Sequence, residues 1–346
     1  MKSVMLYGKK NIRVTDIPKP QIGSREILLK VKAASICGSD VRMIQNGYRN
    51  VDETHPLTLG HEFAGVIEEM GKEVRGYEIG MRVTAAPNWG CGICRHCICG
   101  NTHLCNDYQA FGINHPGGFS EYVVIPEEVI RQGNLTVLED TLSFEEASLI
   151  EPFSCVLNGQ EITGIRTGDT VLVVGAGPIG ILHAMLAEIT GASRVMMNDL
   201  STDRLKVAKR IMPDLITIEG NLADRVMAET GNLGVDVSII AAPAPAAQEQ
   251  SLEYMAMNGR VLFFGGLPKE REQVSLNANT IHYRQLRIMG SARASIRQFR
   301  ICLSLVESGR IPIARLVTGR YTLDEFDQAA AAASQASGLK NVILFD

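Results

Sequence analysis

Apolar and polar positions change rhythm partway along the chain. Up to about residue 35, short β-type runs alternate with turn residues: Ser3–Tyr7, Asn11–Thr15, the Pro18-Lys19-Pro20 break, then Glu26–Ala34. That alternation predicts antiparallel sheet. A second β run, Phe63–Glu69, follows Gly60-His61-Glu62, and Gly117-Gly118-Phe119-Ser120-Glu121-Tyr122 leads into a strand through Ile125. An acidic helical segment from Ser143 runs into apolar Ala147–Ile150 and then Glu151-Pro152. From about residue 153, strands and helices alternate, as they do around a parallel sheet. The predicted order is a strand Thr170–Val174, a helix to about Thr190, a strand Arg194–Asn198, a strand Leu215–Ile218 and a helix near Leu222–Thr230. A strand Val235–Ala241, a helix near Ala246–Met257 and strands Arg260–Phe264 and Leu286–Met289 follow. Beyond Gly290 come helices near Ile296–Ser308 and Leu323–Ala336 and a closing strand Asn341–Phe345. Met227, Met255 and Met257 are read as core filling.

Length and charge narrow the classes. The 346 residues exceed the usual single-domain size, so two domains are expected, and 45% hydrophobic content supplies real cores. With 34 basic against 38 acidic residues and no block of like charge, the field that nucleic acid or an anionic membrane needs is missing. No apolar run is long enough to span a bilayer, and the first residues lack a signal-peptide core, so a cytoplasmic protein is expected. The eight cysteines are too few for a disulfide scaffold in so long a chain. Their bunching between 91 and 105 points to metal in a reducing compartment.

Two stretches carry metal chemistry. Cys37, His61, Glu62 and Glu151 are one thiolate, one imidazole and two carboxylates, a mixed set that suits zinc and leaves a position open to a substrate oxygen. Cys37 sits at a strand end, and Ser39 and Asp40 face the same site. Glu151, following an apolar run and fixed by Pro152, reads either as a functional carboxylate or as a helix-end cap or salt-bridge partner. Cys91, Cys94, Cys97 and Cys105, four thiols within fifteen residues, can close a tetrahedron around a second, structural zinc. Cys99 is a fifth thiol that leaves the ligand choice ambiguous, while His96 and His103 read as solvent-exposed loop residues.

A third stretch binds a dinucleotide. Gly175-Ala176-Gly177-Pro178-Ile179-Gly180 lies between a strand and a helix, where glycines let backbone approach a pyrophosphate and the helix N-terminus attracts negative charge. The next strand ends in Asp199, placed to bind the ribose hydroxyls of NAD and to repel a 2′-phosphate. Arg204 either stacks on adenine or lies on a solvated helix face.

In this order these motifs resemble the zinc-dependent medium-chain alcohol dehydrogenase family over essentially the whole chain. The carriers are Gly60-His61-Glu62-x2-Gly65-x5-Gly71-x2-Val74, the four lobe cysteines, and, for the sorbitol (iditol) and galactitol-1-phosphate dehydrogenase branch, Glu151-Pro152, the glycine-rich turn and Asp199-Leu200-Ser201. The resemblance implies an α/β protein: a GroES-like antiparallel β-barrel catalytic domain over 1–152 with a structural zinc lobe at about 88–107. A Rossmann doubly wound parallel sheet over 153–290 and a return to the catalytic domain over 291–346 complete it, with the active site in the cleft between domains. It further implies two zinc ions per chain, NAD, and a homodimer or homotetramer.

By the same resemblance Cys37 and His61 ligate the catalytic zinc, Glu62 usually ligates directly, and Glu151 either ligates or holds the metal-bound water, so that the third protein ligand is Glu62 or Glu151. Ser39 passes on the substrate proton, Asp40 orients His61, and Arg293 holds a polyol unless it is a plain surface arginine. Arg42 stands where such enzymes often carry a relay histidine; it cannot act as a base and instead reads an anionic group on the substrate. Met43 replaces a frequent aromatic of the sorbitol enzymes. The expected reaction is reversible oxidation of a secondary alcohol of a sugar alcohol or its phosphate, with zinc as Lewis acid and NAD as hydride acceptor. Arg297 joins Arg42 and Arg293 in favouring the phosphate. The alternatives are a threonine or butanediol dehydrogenase, or a non-catalytic NAD-binding protein on the same scaffold.

Overall fold

The computed structural model describes residues 1–346. The chain forms two compact units, Met1–Ser154 with Ala294–Asp346, and Cys155–Arg293.

In the first unit the organising strand is Ile27–Ser35, whose residues are mostly buried because both of its faces are covered. It pairs antiparallel with Phe63–Met70, with Tyr122–Ile125 and with the late strand Lys340–Leu344. Arg82–Ala85 and Leu135–Val137 extend the sheet on one side and Val317–Thr322 on the other. Val31, Phe63, Ile67, Val83, Phe119 and Ile343 meet in its core. Gly65 is needed in this sheet because a Cβ there would lie 2.1 Å from the Lys30 carbonyl oxygen.

The second unit is an all-parallel sheet of six strands. Numbered within the unit, its spatial order is 3-2-1-4-5-6, from Ile216–Ile218 at one edge through Thr170–Val174 to Arg287–Gly290 at the other. This is the dinucleotide-binding arrangement, in which the order reverses beside the first strand. Leu172, Val174, Met196, Ile240 and Val261 form its core.

Three expectations are corrected. The helix after Pro245 stops at Gln250, and Met255–Phe263 is one strand, because Val235 pairs with Met255 and Val237 with Arg260. That register shift loops out the residues between, so Met257 is 68% exposed while Met255 is buried; sheet pairing has overridden an apolar run that reads as helix. His103 is buried, not solvated, since it lies in the 3-10 turn Thr102–Leu104 that closes the cysteine lobe. A helix at Gly38–Asn46 and a strand at Val317–Thr322 are additional to the predicted elements. No helix is long and apolar enough to cross a membrane.

Candidate active site and cofactor centres

Sheet register assembles the first centre. The chain leaves Ile27–Ser35 and turns at Cys37, the N-cap of the helix Gly38–Asn46. Asp40, three residues on, accepts the Cys37 amide at 2.9 Å through Oδ2, half of a capping-box arrangement. On the paired strand His61 and Glu62 precede Phe63, and the Ser35 amide donates to the Glu62 carbonyl at 2.8 Å. Cys37, His61 and Glu62 therefore arrive together, their donor atoms all within 4.8 Å of one another. His61 Nδ1 faces Asp40 Oδ1 at 3.4 Å, which turns Nε2 toward the other donors, and Ser39 Oγ lies 3.3 Å from that Nε2.

Glu62 is fully buried and its two oxygens differ. Oε2 accepts from Ser35 Oγ and from Lys340 Nζ, while Oε1 has no hydrogen-bond partner. Burial pushes the Glu62 carboxyl up to about 7, against the pull of Lys340 and with the help of Glu151. For His61, burial works downward, but Asp40 and Cys37 outweigh it and hold the imidazole well above its ordinary value. Glu151 is buried in the first turn of Ile150–Thr163, near enough for its charge to bear on both Glu62 and Lys340, yet it is not among the close-set donors. A thiol, an imidazole and a buried carboxylate oxygen without a partner, in surroundings that favour added positive charge, fit a zinc ion.

The second centre is local. Cys94 Sγ lies 3.5 Å from Cys97 Sγ and 3.8 Å from Cys105 Sγ, and Cys91 joins the set. Sulfurs on a zinc tetrahedron stand roughly 3.8 Å apart, given a Zn–S bond near 2.3 Å, and all eight cysteines are free of disulfides. An amide hydrogen bond from Cys97 leads the effects that lower Cys94 to about 7, whereas burial raises Cys97 to about 12. Cys99 is exposed and outside the set.

In the second unit, Gly175–Gly177 joins the strand Thr170–Val174 to the helix Pro178–Thr190. Gly175 has φ +115°, and a Cβ on Gly180 would fall 1.8 Å from the Gly175 carbonyl oxygen, so helix and turn could not close on each other. A Cβ on Gly177 would point into open space. Pro178 and Ile179 are half-buried at the helix start. Asp199 Oδ2 accepts the Ala176 amide at 2.7 Å and Oδ1 the Ser201 amide at 2.8 Å, which locks the carboxylate beside the turn with lone pairs to spare. Arg204 is half-buried on the helix Thr202–Ile211. A bare backbone cradle at a helix N-terminus, with a carboxylate at the next strand end, fits a dinucleotide.

Of the substrate candidates, Arg42 is exposed, with Nη1 3.7 Å from the Cβ position of Gly38, beside Cys37 and Ser39. Met43 is buried in the core of the first unit, so it is packing and not a substitute for a substrate-facing aromatic. Arg293 belongs to the second unit, at φ 59°, its carbonyl accepting from Asn158 Nδ2 at 2.9 Å. Ser35 and Lys340 were not legible as site residues. The signal for Lys340 was a lysine opening an apolar strand, Lys340-Asn341-Val342-Ile343-Leu344.

A parallel dinucleotide-binding sheet in one unit, a mainly antiparallel sheet in the other, and one mixed and one all-sulfur metal set together define a zinc-dependent dehydrogenase. The alcohol dehydrogenase GroES-like domain family matches residues 23–133, and the zinc-binding dehydrogenase family matches residues 178–308. L-threonine 3-dehydrogenase of Serratia proteamaculans is 32% identical over 350 residues, covering 99% of this chain and 98% of that protein. A zinc-binding dehydrogenase from Sinorhizobium meliloti, solved with NADP, has a TM-score of 0.91 at 31% identity, with 99% of each chain covered. The 2R,3R-butanediol dehydrogenase of Bacillus subtilis gives a TM-score of 0.89 at 26% identity, covering 100% of this chain and 99% of its own. The chain belongs to the zinc-dependent medium-chain alcohol dehydrogenase family. It is an enzyme, and zinc and a nicotinamide dinucleotide are its cofactors.

Proposed function

We propose that this dehydrogenase reversibly oxidises a secondary alcohol of a sugar alcohol or sugar-alcohol phosphate, with NAD as its dinucleotide. The observation that supports a phosphate- or hydroxyl-bearing substrate is Arg42. Its guanidinium lies over Gly38 beside Cys37 and Ser39, and no hydrogen bond or ion pair engages it, so it is available to a phosphate or a row of hydroxyls.

Zinc held by Cys37, His61 and Glu62 would supply Lewis acidity that makes an alcohol proton easier to remove, and NAD on the Gly175–Gly180 turn would take the hydride. The chain's own groups do the rest. The Ser39 hydroxyl, 3.3 Å from His61 Nε2, can accept a proton and donate its own. Asp40 Oδ1 faces His61 Nδ1 at 3.4 Å, and its charge orients the ring. Arg42 stays charged and takes no proton, so the proton leaves Ser39 toward solvent. Asp199 has spare acceptor capacity for ribose hydroxyls and repels a phosphate at the same place, which supports NAD over NADP. The open edge of the parallel sheet at Arg287–Gly290 supports a homodimer or homotetramer, and the absence of spanning helices is compatible with a cytoplasmic location.

A second reading has its own support. The relative named above is an L-threonine 3-dehydrogenase at 32% identity over nearly its full length, and Arg42 would read threonine's carboxylate equally well. A comparison of kcat/KM for galactitol 1-phosphate, arabitol phosphate, the free polyols, 2,3-butanediol and L-threonine, each with NAD and NADP, decides. Polyols or their phosphates should lead by at least about tenfold, which is about 1.4 kcal/mol; a lead for L-threonine overturns the first reading. Faster turnover with NADP would remove the role given to Asp199.

A further inference from the structure

We propose that Lys340 is a positioning residue for the catalytic metal, holding one oxygen of Glu62 so that the carboxylate offers the metal the other oxygen alone. This rests on Cys37, His61 and Glu62 being the metal's donors and is independent of which alcohol is oxidised.

The placement follows from register. In the antiparallel pair of Ile27–Ser35 with Lys340–Leu344, Ser35 is opposite Val342, and the Ile36 amide donates to the Asn341 carbonyl at 2.9 Å. One step further puts Lys340 opposite Cys37. Its side chain is 5% exposed, and Nζ donates to the Ile36 carbonyl at 3.0 Å and to Glu62 Oε2. Ser35 Oγ donates to the same Oε2, so that oxygen carries two donors and Oε1 none. An ammonium and a hydroxyl on one oxygen hold the carboxylate plane and leave Oε1 without a donor, in a residue whose carboxylate lies within 4.8 Å of the Cys37 and His61 donor atoms. A carboxylate free to rotate would also bind through both oxygens and fill the position a substrate needs.

Charge points the same way. Cys37, Glu62 and Glu151 are the anionic groups that bear on Lys340. The ammonium offsets part of this negative charge, which a divalent ion alone leaves in excess in a buried site that also holds Asp40. A pair serving stability only would be replaceable by apolar groups; a pair serving the metal is not.

The test uses zinc-loaded protein and counts ions during chelator titration, with the four-cysteine centre as internal reference. Wild type should hold two ions. Lys340→Met should release one of them at roughly 10- to 100-fold lower chelator concentration, the usual effect of losing a partner behind a metal ligand. The visible spectrum of the Co2+-substituted centre should shift, and Lys340→Arg should restore both readouts in large part. In a Glu62→Gln background, adding Lys340→Met should change neither. A wild-type chelator profile and Co2+ spectrum in Lys340→Met overturn the proposal, as does a further loss in the Glu62→Gln background. If Lys340→Met alone does not fold, the Glu62→Gln pair decides by that comparison. A wild type that holds a single ion removes the metal-site reading itself, a separate failure.

Discussion

The two metal centres of the first unit are built by opposite routes. The four sulfurs come from Cys91 to Cys105, a loop with one short helix and one 3-10 turn, and they are brought together by local backbone alone. The mixed centre draws Cys37 from one strand end, His61 and Glu62 from the neighbouring strand, and Lys340 from a strand 278 residues beyond Glu62. The first set is chemically closed, all thiols. The second keeps a carboxylate oxygen without a partner and a serine hydroxyl beside the imidazole. A centre of neighbours in sequence can order its own loop when the metal binds. A centre assembled by sheet register exists only once the sheet does, so it reports on the fold and is free to do chemistry.

One cysteine substitution at each centre tests that contrast most severely. Cys37→Ser should reduce kcat/KM by about a thousandfold or more, several kcal/mol of lost charge stabilisation, with the thermal midpoint little changed. Cys97→Ser, at the buried sulfur of the lobe, should lower the thermal midpoint by many degrees through loss of a structural ion. The fraction that stays folded should retain turnover. Measuring both quantities on both variants breaks the contrast if Cys97→Ser proves catalytically dead while fully stable.

The next effect concerns pH. Without metal, the folded chain holds the Glu62 carboxyl at about 7, against an ordinary 4.5, and burial is the leading cause. A raised folded pKa means the folded state keeps a proton the unfolded state has released. Its stabilising contribution is complete below the ordinary value and is lost as pH rises through about 7. His61 and Lys340 are shifted the same way. Chelated protein should therefore lose on the order of 1–3 kcal/mol between about pH 5 and about pH 7.5 in urea titrations. Zinc-loaded protein should lose less, because the ion replaces the missing proton. Glu62→Gln should flatten the slope of the chelated protein; an unchanged slope would assign it to other groups.

Below that stands Asp40. Asp40→Asn keeps the size of the side chain but removes the charge that faces His61 Nδ1 at 3.4 Å. The expected cost is roughly 10- to 100-fold in metal affinity at the mixed centre, with the four-sulfur centre untouched. Ion counts during dialysis would show it.

The same contrast explains what could be read from the sequence. The lobe was legible as a unit because its spacing alone dictates its chemistry, and the glycine-rich turn because a strand, Gly175, Gly177, Gly180 and Asp199 fall at fixed offsets. Cys37, His61 and Glu62 were legible as residues, but not the means of joining them. That means is the pairing of Ala34 with Phe63, which no local pattern states. Lys340 and Ser35 were hidden for the same reason, since each matters only through a partner in another strand. The helix Gly38–Asn46 went unpredicted because its capping-box pair, Cys37 and Asp40, puts a thiol where a hydroxyl is usual. Met257 was misread because composition cannot reveal the register shift that expels it.

Cys99 supplies the smallest effect and the cleanest boundary to the comparison. Sequence spacing alone leaves it a rival to Cys97, two residues earlier, for the fourth ligand position. The fold separates them: Cys97 is buried among the other sulfurs, while Cys99 is exposed at the end of the short helix Arg95–Ile98. The turn that places Cys97 inward sends its neighbours Ile98 and Cys99 outward. Cys99→Ser should hold stability within about 0.5 kcal/mol, keep the zinc count and leave kcat/KM unchanged. It should also remove the one exposed thiol, which free-thiol labelling of zinc-loaded protein would register. A drop in zinc content would instead make Cys99 a ligand and reopen the assignment of the whole lobe.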